Sequence, residues 1–297
     1  MNNSVALGLT LRNGTPDLSN FADTVEEMMD LGLSHVEIPA YNYDLLLAGK
    51  LLEARVREVE AICRDRPFGF TVHGSHSIDF MGPAEWLPRY SDMTKAFIEL
   101  CSRIGARQLV IHSGVYNSGD DQDAIDRAAA RQRDYLSRLG DFAEGHNVVL
   151  CVENQFDFGP LAMTVAQLAE ELRLVNKSSV RATFDFSHGL IHATQYGYDF
   201  LAQAKDLSPY ADHLHLHDSF GLNNLPGYFA SAEGNASGFG DIHLPLGWGS
   251  VPWAEIAEHC IFPKGLIAIH ELNMRFWRDR HEAITAARQF LSKLRFA

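Results

Sequence analysis

Cysteine is scarce in this sequence, and the few cysteines are not arranged in pairs. Four of the 297 residues are cysteines, far apart and without a C-x-x-C motif, namely Cys63, Cys101, Cys151 and Cys260. This spacing predicts neither a zinc knuckle nor a disulfide framework. We therefore expect all four thiols to be reduced and buried in the core.

Long apolar runs are also absent. No stretch approaches the roughly 18 consecutive apolar residues that cross a bilayer. The first residues, MNNSVALGLTLRNG, lack the basic start, the apolar run and the small-residue cleavage site of a signal peptide. These absences predict a cytoplasmic protein with no membrane partner.

Positive charge is in the minority. The chain has 25 Lys and Arg residues against 38 Asp and Glu, which gives a formal net charge of −13. An acidic chain is poorly suited to a broad surface for polyanions, which argues against nucleic acid as a partner. Bound divalent cations can make a carboxylate-lined site locally positive, so a metal-assisted site is not excluded.

Histidine, in contrast, is abundant and placed in a pattern. The chain has 14 histidines, and three of them alternate in the stretch HLHLHD at 213–218. Side chains two apart on a strand point the same way, so His213, His215 and His217 would share one face. If His215 is a metal ligand, its two neighbours lie about 6–7 Å below and above it. We therefore assign His213 to a structural hydrogen bond, and His217 or Asp218 to the rim of the site.

Short apolar runs alternate with segments of helical spacing along the whole chain, and no low-complexity linker interrupts them. Strands are predicted at 5–11, 35–40, 68–74, 108–114, 148–154, 181–188, 213–219 and 265–272. Helices are predicted at 19–32, 50–65, 91–104, 121–145, 164–175, 197–207, 252–260 and 281–295. Eight strand–helix units predict an α/β fold of one domain, 1–297, that forms a single (β/α)8 TIM barrel. The irregular segment 220–251 is predicted to be a functional loop.

Acidic and histidine side chains lie at the ends of six consecutive predicted strands. The carboxyl ends of barrel strands meet at one mouth, where the active sites of this architecture lie. Glu153 and Glu271 each follow an apolar run that should be buried, and a buried carboxylate needs a cation or a proton. The strand-end residues predict a metal site; they are His73, His112, Glu153, Asp185 with His188, His215 and Glu271.

Four motifs, taken in order, resemble those of the xylose isomerase-like TIM barrels, a group that includes sugar-phosphate isomerases and epimerases and the endonuclease IV family. The motifs are VEN at 152–154, FDFSH at 184–188, HLHD at 215–218 and DIHLPLGWGSVPW at 241–253. The resemblance extends over nearly the whole chain, from VEIP to IHELN. It implies a metal-dependent isomerase or epimerase that acts on a small sugar, a sugar phosphate or a keto-polyol.

The resemblance also implies roles for individual residues. The ketose epimerases of this group hold one divalent ion with residues that match Glu153, Asp185, His215 and Glu271, so the expected cofactor is Mn, Mg, Co or Zn. Glu153 and Glu271 would exchange protons with the substrate through an enediolate, and His188 would orient a substrate oxygen. The remaining candidate substrate contacts are His73, His112, His217, Asp241, His243 and Arg275.

The sequence departs from both branches of the group. The epimerases commonly carry an arginine soon after the strand-seven histidine, but HDSFGLNN offers none, and Arg275 or Arg278 is the candidate substitute. In the endonuclease IV branch further ligands support a three-zinc cluster, and they match His73, His112, His188, Asp241 and His243. Against that branch, the first strand lacks a histidine and the chain has no clustered Lys/Arg stripe.

Two other functions remain alternatives to the isomerase. One is a zinc phosphodiesterase of the endonuclease IV type acting on abasic DNA, and the other is a metal-free carbohydrate-binding barrel. The sequence does not name the sugar or choose between isomerisation, epimerisation and dehydration. It also leaves a homo-oligomer open.

The segment GFGDIHLPLGWGSVPW, 238–253, is predicted to fold over the mouth near strand seven. Its glycines permit tight turns, and Asp241 and His243, two apart, would face one way if the segment is extended. Leu244, Leu246 and Trp248 would then cover the site and limit the entry of water.

Overall fold

Eight parallel strands close into a barrel in the computed structural model, which describes residues 5–12, 14–223 and 231–297. Each strand pairs with the next along the chain, and the eighth pairs with the first. The strands are β1 Ala6–Thr10, β2 His35–Pro39, β3 Gly69–His73, β4 Gln108–His112, β5 Val149–Glu153, β6 Val180–Asp185, β7 Ala211–Leu216 and β8 Ile267–His270. The predicted (β/α)8 TIM barrel is confirmed.

Helices follow the strands and cover the outside of the barrel. They are α1 Phe21–Glu26, α2 Glu53–Cys63, α3 Leu87–Ile104, α4 Gln122–Gly145, α5 Val165–Val175, α6 Phe186–Tyr196, α7 Phe200–Leu207, α8 Ser231–Ser237, α9 Trp253–His259 and α10 Arg280–Leu291. Local signals explain several starts: Thr164 and Gln167 form a capping box on α5. No helix in the described ranges is long and apolar enough to cross a membrane.

The strand alternation divides the side chains between two environments. On β7, Leu214 and Leu216 belong to the main apolar cluster between strands and helices. On the opposite face, His213 and His215 contact Glu37 inside the barrel. The interior therefore carries polar side chains beneath the mouth, while the apolar core lies outside the strands. All four cysteines are buried and free, as expected.

Three predicted elements differ from those in the structure. The sixth strand, predicted to run to 188, ends at Asp185, because the Asp185 carboxylate accepts a hydrogen bond from the His188 backbone N–H and begins α6. The predicted helix 19–32 is divided into α1 and the 3-10 turn Met29–Leu31. The predicted irregular segment 220–251 contains α8, and its residues 224–230 lie outside the described residues.

Candidate metal centre

Four strand-end side chains meet around one imidazole nitrogen at the mouth of the barrel. The Nδ1 atom of His215 lies 3.0 Å from Glu153 Oε1, 3.3 Å from Glu271 Oε2 and 3.9 Å from Asp185 Oδ2. His215, Glu153 and Asp185 are fully buried, and the Glu271 side chain is 11% exposed. The structure therefore brings together all four residues of the predicted ligand set.

The donor set around His215 fits a divalent cation. An imidazole nitrogen carries at most one hydrogen, so His215 Nδ1 can satisfy only one of the three carboxylates that face it. The remaining negative charge, withdrawn from water, has to be balanced by other imidazoles or by a metal ion. Three carboxylate oxygens and one imidazole nitrogen suit Mn, Mg, Co or Zn.

The second oxygen of Glu153 faces the predicted histidines of β3 and β4. Glu153 Oε2 lies 3.2 Å from His73 Nε2 and 3.4 Å from His112 Nε2, and its Oε1 lies 3.4 Å from His188 Nδ1. Burial alone would raise the pKa of Glu153, but the charge of His215 and hydrogen bonds from the surrounding histidines lower it well below its usual value. Glu153 is therefore an ionised carboxylate at the centre of the cluster.

The Asp241 carboxylate contacts a second group of histidines, beside those that surround Glu153. Its carboxylate lies 2.7 Å from His243 Nε2, 3.2 Å from His188 Nε2 and 3.5 Å from His217 Nδ1. The other nitrogen of His217, Nε2, lies 2.7 Å from Asp185 Oδ2, so this imidazole bridges the two aspartates. The segment 238–253 thus reaches the mouth, as predicted.

The backbone of that segment is not extended at His243, so the condition for a shared face with Asp241 is not met there. His243 has φ 54°, in the left-handed region, yet its ring still meets Asp241. The backbone is held by the Asn273 N–H, which donates to His243 O at 3.1 Å, and His243 Nδ1 lies 2.9 Å from Glu271 O. Non-glycine residues in this region carry strain, and they cluster at functional sites.

The apolar side chains of the segment differ in exposure. Leu244 and Leu246 are buried. Trp248 is 40% exposed, donates its indole N–H to Glu282 and packs edge-on against Phe276. Its ring therefore lies against the segment that follows β8, and the cover over the site stays a prediction.

Neighbouring charges raise the pKa values of two histidines of the cluster. Burial alone would lower the pKa of His215, but Glu271, Glu153 and Glu37 raise it well above its usual value. Burial likewise opposes protonation of His243, and Asp241 raises its pKa to about 9. Every ion pair that the structure describes for these buried carboxylates is with a histidine. Histidine protons or a metal ion are therefore the cations available to them.

Sequence reasoning missed two residues next to this cluster. Glu37, in the middle of β2, is fully buried and faces His213 and His215. His76 stacks on His112 with ring centroids 4.7 Å apart, and it lies near Tyr41 at 3.9 Å. A charge inside the apolar run HVEIP was a signal for Glu37 of the same kind that singled out Glu153.

Asp218 is one of the two candidates for a rim contact, the other being His217. Asp218 is fully buried, and its carboxylate accepts hydrogen bonds from Gly247 N, Val251 N and Trp253 Nε1. It therefore anchors the segment rather than facing substrate, which leaves His217 as the candidate. Arg275, a candidate substrate contact, is exposed on the 3-10 segment Met274–Asp279 that follows β8.

Comparison with solved structures finds other proteins of the same fold. A D-tagatose 3-epimerase-like protein superposes with a TM-score of 0.71 at 16% identity, covering 97% of both chains. D-psicose 3-epimerase from Clostridium cellulolyticum H10 gives 0.68 at 14% identity, covering 97% of this chain and 99% of the other. The IolI protein with a bound zinc atom gives 0.66 at 16% identity over 96% of both chains. No curated protein sequence matches.

The family assignment rests on the sequence over most of its length. The model of the xylose isomerase-like TIM barrel family matches residues 25–294. This range begins in α1 and ends after α10, so it includes seven of the eight barrel strands and all the side chains of the cluster. The chain therefore belongs to the xylose isomerase-like TIM barrel family.

Proposed function

We propose that this protein is a divalent-metal-dependent isomerase or epimerase of a small sugar, a sugar phosphate or a keto-polyol. The observation that carries the proposal is the set of three carboxylates facing His215 Nδ1. Solved structures of similar fold are named as sugar epimerases, which supports a sugar-type reaction. Mn, Mg, Co or Zn would be held by Glu153, Asp185, His215 and Glu271.

The metal, when bound, would polarise a substrate carbonyl and stabilise negative charge on the adjacent oxygens. Glu153 and Glu271 approach His215 Nδ1 through different oxygens, at 3.0 and 3.3 Å. In this proposal the two carboxyl groups lie on either side of one reacting carbon. One takes the α-proton as the C–H bond breaks to give an enediolate, and the other returns a proton to carbon.

The remaining polar groups bind and orient the substrate in this proposal. His188 is held at Nδ1 by Asn154 O, at 3.1 Å, and its Nε2 edge faces Asp241. The Nδ1 contact fixes the ring, and Nε2 is the nitrogen that would orient a substrate oxygen in this proposal. The other proposed substrate contacts are His73, His112, His217, Asp241, His243 and Arg275.

The test is a screen of ketoses and keto-polyols with the chelated protein, before and after addition of Mn²⁺, Mg²⁺ or Co²⁺. Glu153→Gln and Glu271→Gln keep the side-chain size but remove the base, so turnover should fall roughly 10²–10⁴-fold. Glu171→Gln is the control, because Glu171 is a buried glutamate paired with Arg133 outside the site. Normal turnover in either site variant would remove that glutamate from the mechanism.

A second candidate is a zinc phosphodiesterase of the endonuclease IV type. The observation in its favour is that donors for further ions lie beside the first set: Asp241 meets His188 and His243, and Glu153 meets His73. This function requires three zinc ions in each chain and cleavage of abasic DNA. Activity on a ketose with a single bound ion would rule it out.

A further inference from the structure

A buried carboxylate lies directly beneath the proposed metal site. Glu37 is fully buried in the middle of β2. The hydroxyl groups of Thr71 and Thr10 donate to its two oxygens at 3.1 and 3.3 Å. The third contact is with His213 Nε2, 3.2 Å from Glu37 Oε2. The two hydroxyl groups hold the carboxylate in one orientation.

His213 is itself held from below. The side-chain amide of Gln108 donates to Asp212 O at 2.8 Å, so its oxygen is left to accept from His213 Nδ1 at 2.7 Å. His213 therefore carries a hydrogen on Nδ1. On the upper side of Glu37, its Oε1 lies 3.3 Å from His215 Nε2. Among the described residues His215 Nε2 makes no hydrogen bond, so this carboxylate oxygen is the acceptor that the structure places beside it.

The two nitrogens of His215 thus face opposite sides. Nδ1 faces Glu153, Asp185 and Glu271, and Nε2 faces Glu37. A neutral imidazole has one N–H and one lone pair. If the hydrogen were on Nδ1, the Nε2 lone pair would face a buried carboxylate, which is repulsive. With a metal ion among the three other carboxylates, the lone pair of Nδ1 would be directed at the metal, and the hydrogen on Nε2 would be accepted by Glu37.

We propose that Glu37 is a positioning residue that fixes His215 as the Nε2–H tautomer and reserves Nδ1 for the metal. The inference rests on the proposed metal site, and it adds a residue that binds neither metal nor substrate. Carboxylate partners of this kind are known to orient metal-binding histidines, and their loss weakens metal binding.

The first test needs no variant. In ¹⁵N-histidine-labelled, Zn²⁺-loaded protein, long-range ¹H–¹⁵N correlation spectra report which ring nitrogen carries the hydrogen. We expect His215 to carry it on Nε2, with Nδ1 bound to zinc. A hydrogen on Nδ1 would overturn the inference, and the result does not depend on the folding of any mutant.

The second test compares Mn²⁺ affinity by calorimetry in three variants. Glu37→Leu removes the acceptor and should weaken binding roughly 10–100-fold. Glu37→Gln keeps an oxygen that can accept from His215 Nε2 and should restore most of the affinity. Glu171→Leu, which changes a buried glutamate outside the site, should bind as wild type does.

The outcomes separate this inference from the proposed function. Failure of the wild-type protein to bind any divalent ion would overturn the metal site itself. Tight binding by wild type and an equal affinity in folded Glu37→Leu would overturn only the role of Glu37. A loss in Glu37→Leu that Glu37→Gln does not rescue would also overturn it, since the acceptor oxygen would then not be the cause.

Discussion

At the scale of single residues, the site is a set of buried carboxylates that need cations. Glu153, Asp185 and Asp241 are each within 3.2 Å of at least one imidazole nitrogen. These pairs keep the carboxylates ionised. The negative charge that the imidazoles do not balance can bind a metal ion. Removal of one carboxylate should therefore change metal binding more than stability.

Asp185 is suited to a test of this expectation, because its two carboxylate oxygens have different contacts. Oδ1 caps α6, whereas Oδ2 faces His215 and His217. Asp185→Asn keeps a good N-cap but removes the charge, so we expect metal loss with little change in stability. Asp185→Ala should lose metal and also about 1 kcal/mol of cap energy.

Metal analysis of the purified variants, together with urea denaturation, checks this prediction. Asp212→Asn is the matched control, because Asp212 is paired with Arg181 near the start of β7. It should retain the wild-type metal content. Full metal occupancy in Asp185→Asn would show that the assigned site is wrong.

His270 gives a prediction on pH. It is fully buried, neither ring nitrogen has a hydrogen-bond partner among the described residues, and burial with nearby His217 and His243 lowers its pKa to about 3. Its unfolded value is 6.5. Between these values the unfolded chain binds the extra proton, so stability falls as the pH drops below 6.5. At pH 5 the loss is about 2 kcal/mol.

Chelated wild-type protein and His270→Leu should therefore differ in acid sensitivity. The free energy of unfolding, measured in urea at pH 7 and pH 5, should fall by about 2 kcal/mol less in the variant. His259→Leu, at an exposed histidine, should behave as wild type. An equal fall in His270→Leu and wild type would exclude His270 as the cause.

The sequence was enough to predict the ligands at the strand ends, but not the residues that lie beneath them in the barrel. Glu153 and Asp185 end strands, and strand ends in a barrel converge whatever the details of packing. Glu37 lies mid-strand, and only the closed barrel brings it under His215 from a distant part of the sequence. The pattern HVEIP predicts a strand, but it does not say which strand lies opposite.

At the scale of elements, turn and cap chemistry decides where the site residues lie. No Gly or Pro separates the stretch from Asp185 to His188 from β6, so the sequence predicts that the strand continues. The Asp185 cap instead turns the chain into α6 and brings His188 back over Glu153. Gly189 fits there because a Cβ would lie 2.9 Å from the Phe200 ring.

The segment 241–253 depends on one carboxylate. Gly249 approaches Asp218 so closely that a Cβ would lie 2.4 Å from its Oδ1. Asp218→Ala removes three hydrogen bonds to the segment, and bonds to a charged acceptor contribute most, so we expect a stability loss of about 3 kcal/mol. Because the segment carries Asp241 and His243, turnover should fall as well.

Urea denaturation and steady-state kinetics of Asp218→Ala check this prediction. Asp199→Ala is the control, because it removes only the N-cap of α7. It should cost about 1 kcal/mol and leave turnover unchanged. Wild-type turnover in Asp218→Ala would show that the segment is not part of the site.

At the scale of the whole molecule, the alternation of strands and helices was enough to predict the barrel. Closure requires β1 to pair with both β2 and β8, and Gly8 sits at that seam, where a Cβ would lie 2.5 Å from His35 O. The closed sheet brings the strand ends together at one mouth. The chain has an excess of acidic residues, and some of them provide the carboxylates there. The sequence could not predict α8, since its short run of small and polar residues reads as loop.

The most direct measurement is anomalous diffraction from a crystal of the Mn²⁺-loaded protein, recorded near the manganese absorption edge. The prediction is one peak per chain, roughly 2.0–2.6 Å from His215 Nδ1 and from oxygens of Glu153, Asp185 and Glu271. A peak elsewhere, a cluster of three, or no peak at saturating Mn²⁺ would contradict the proposed single-metal isomerase site.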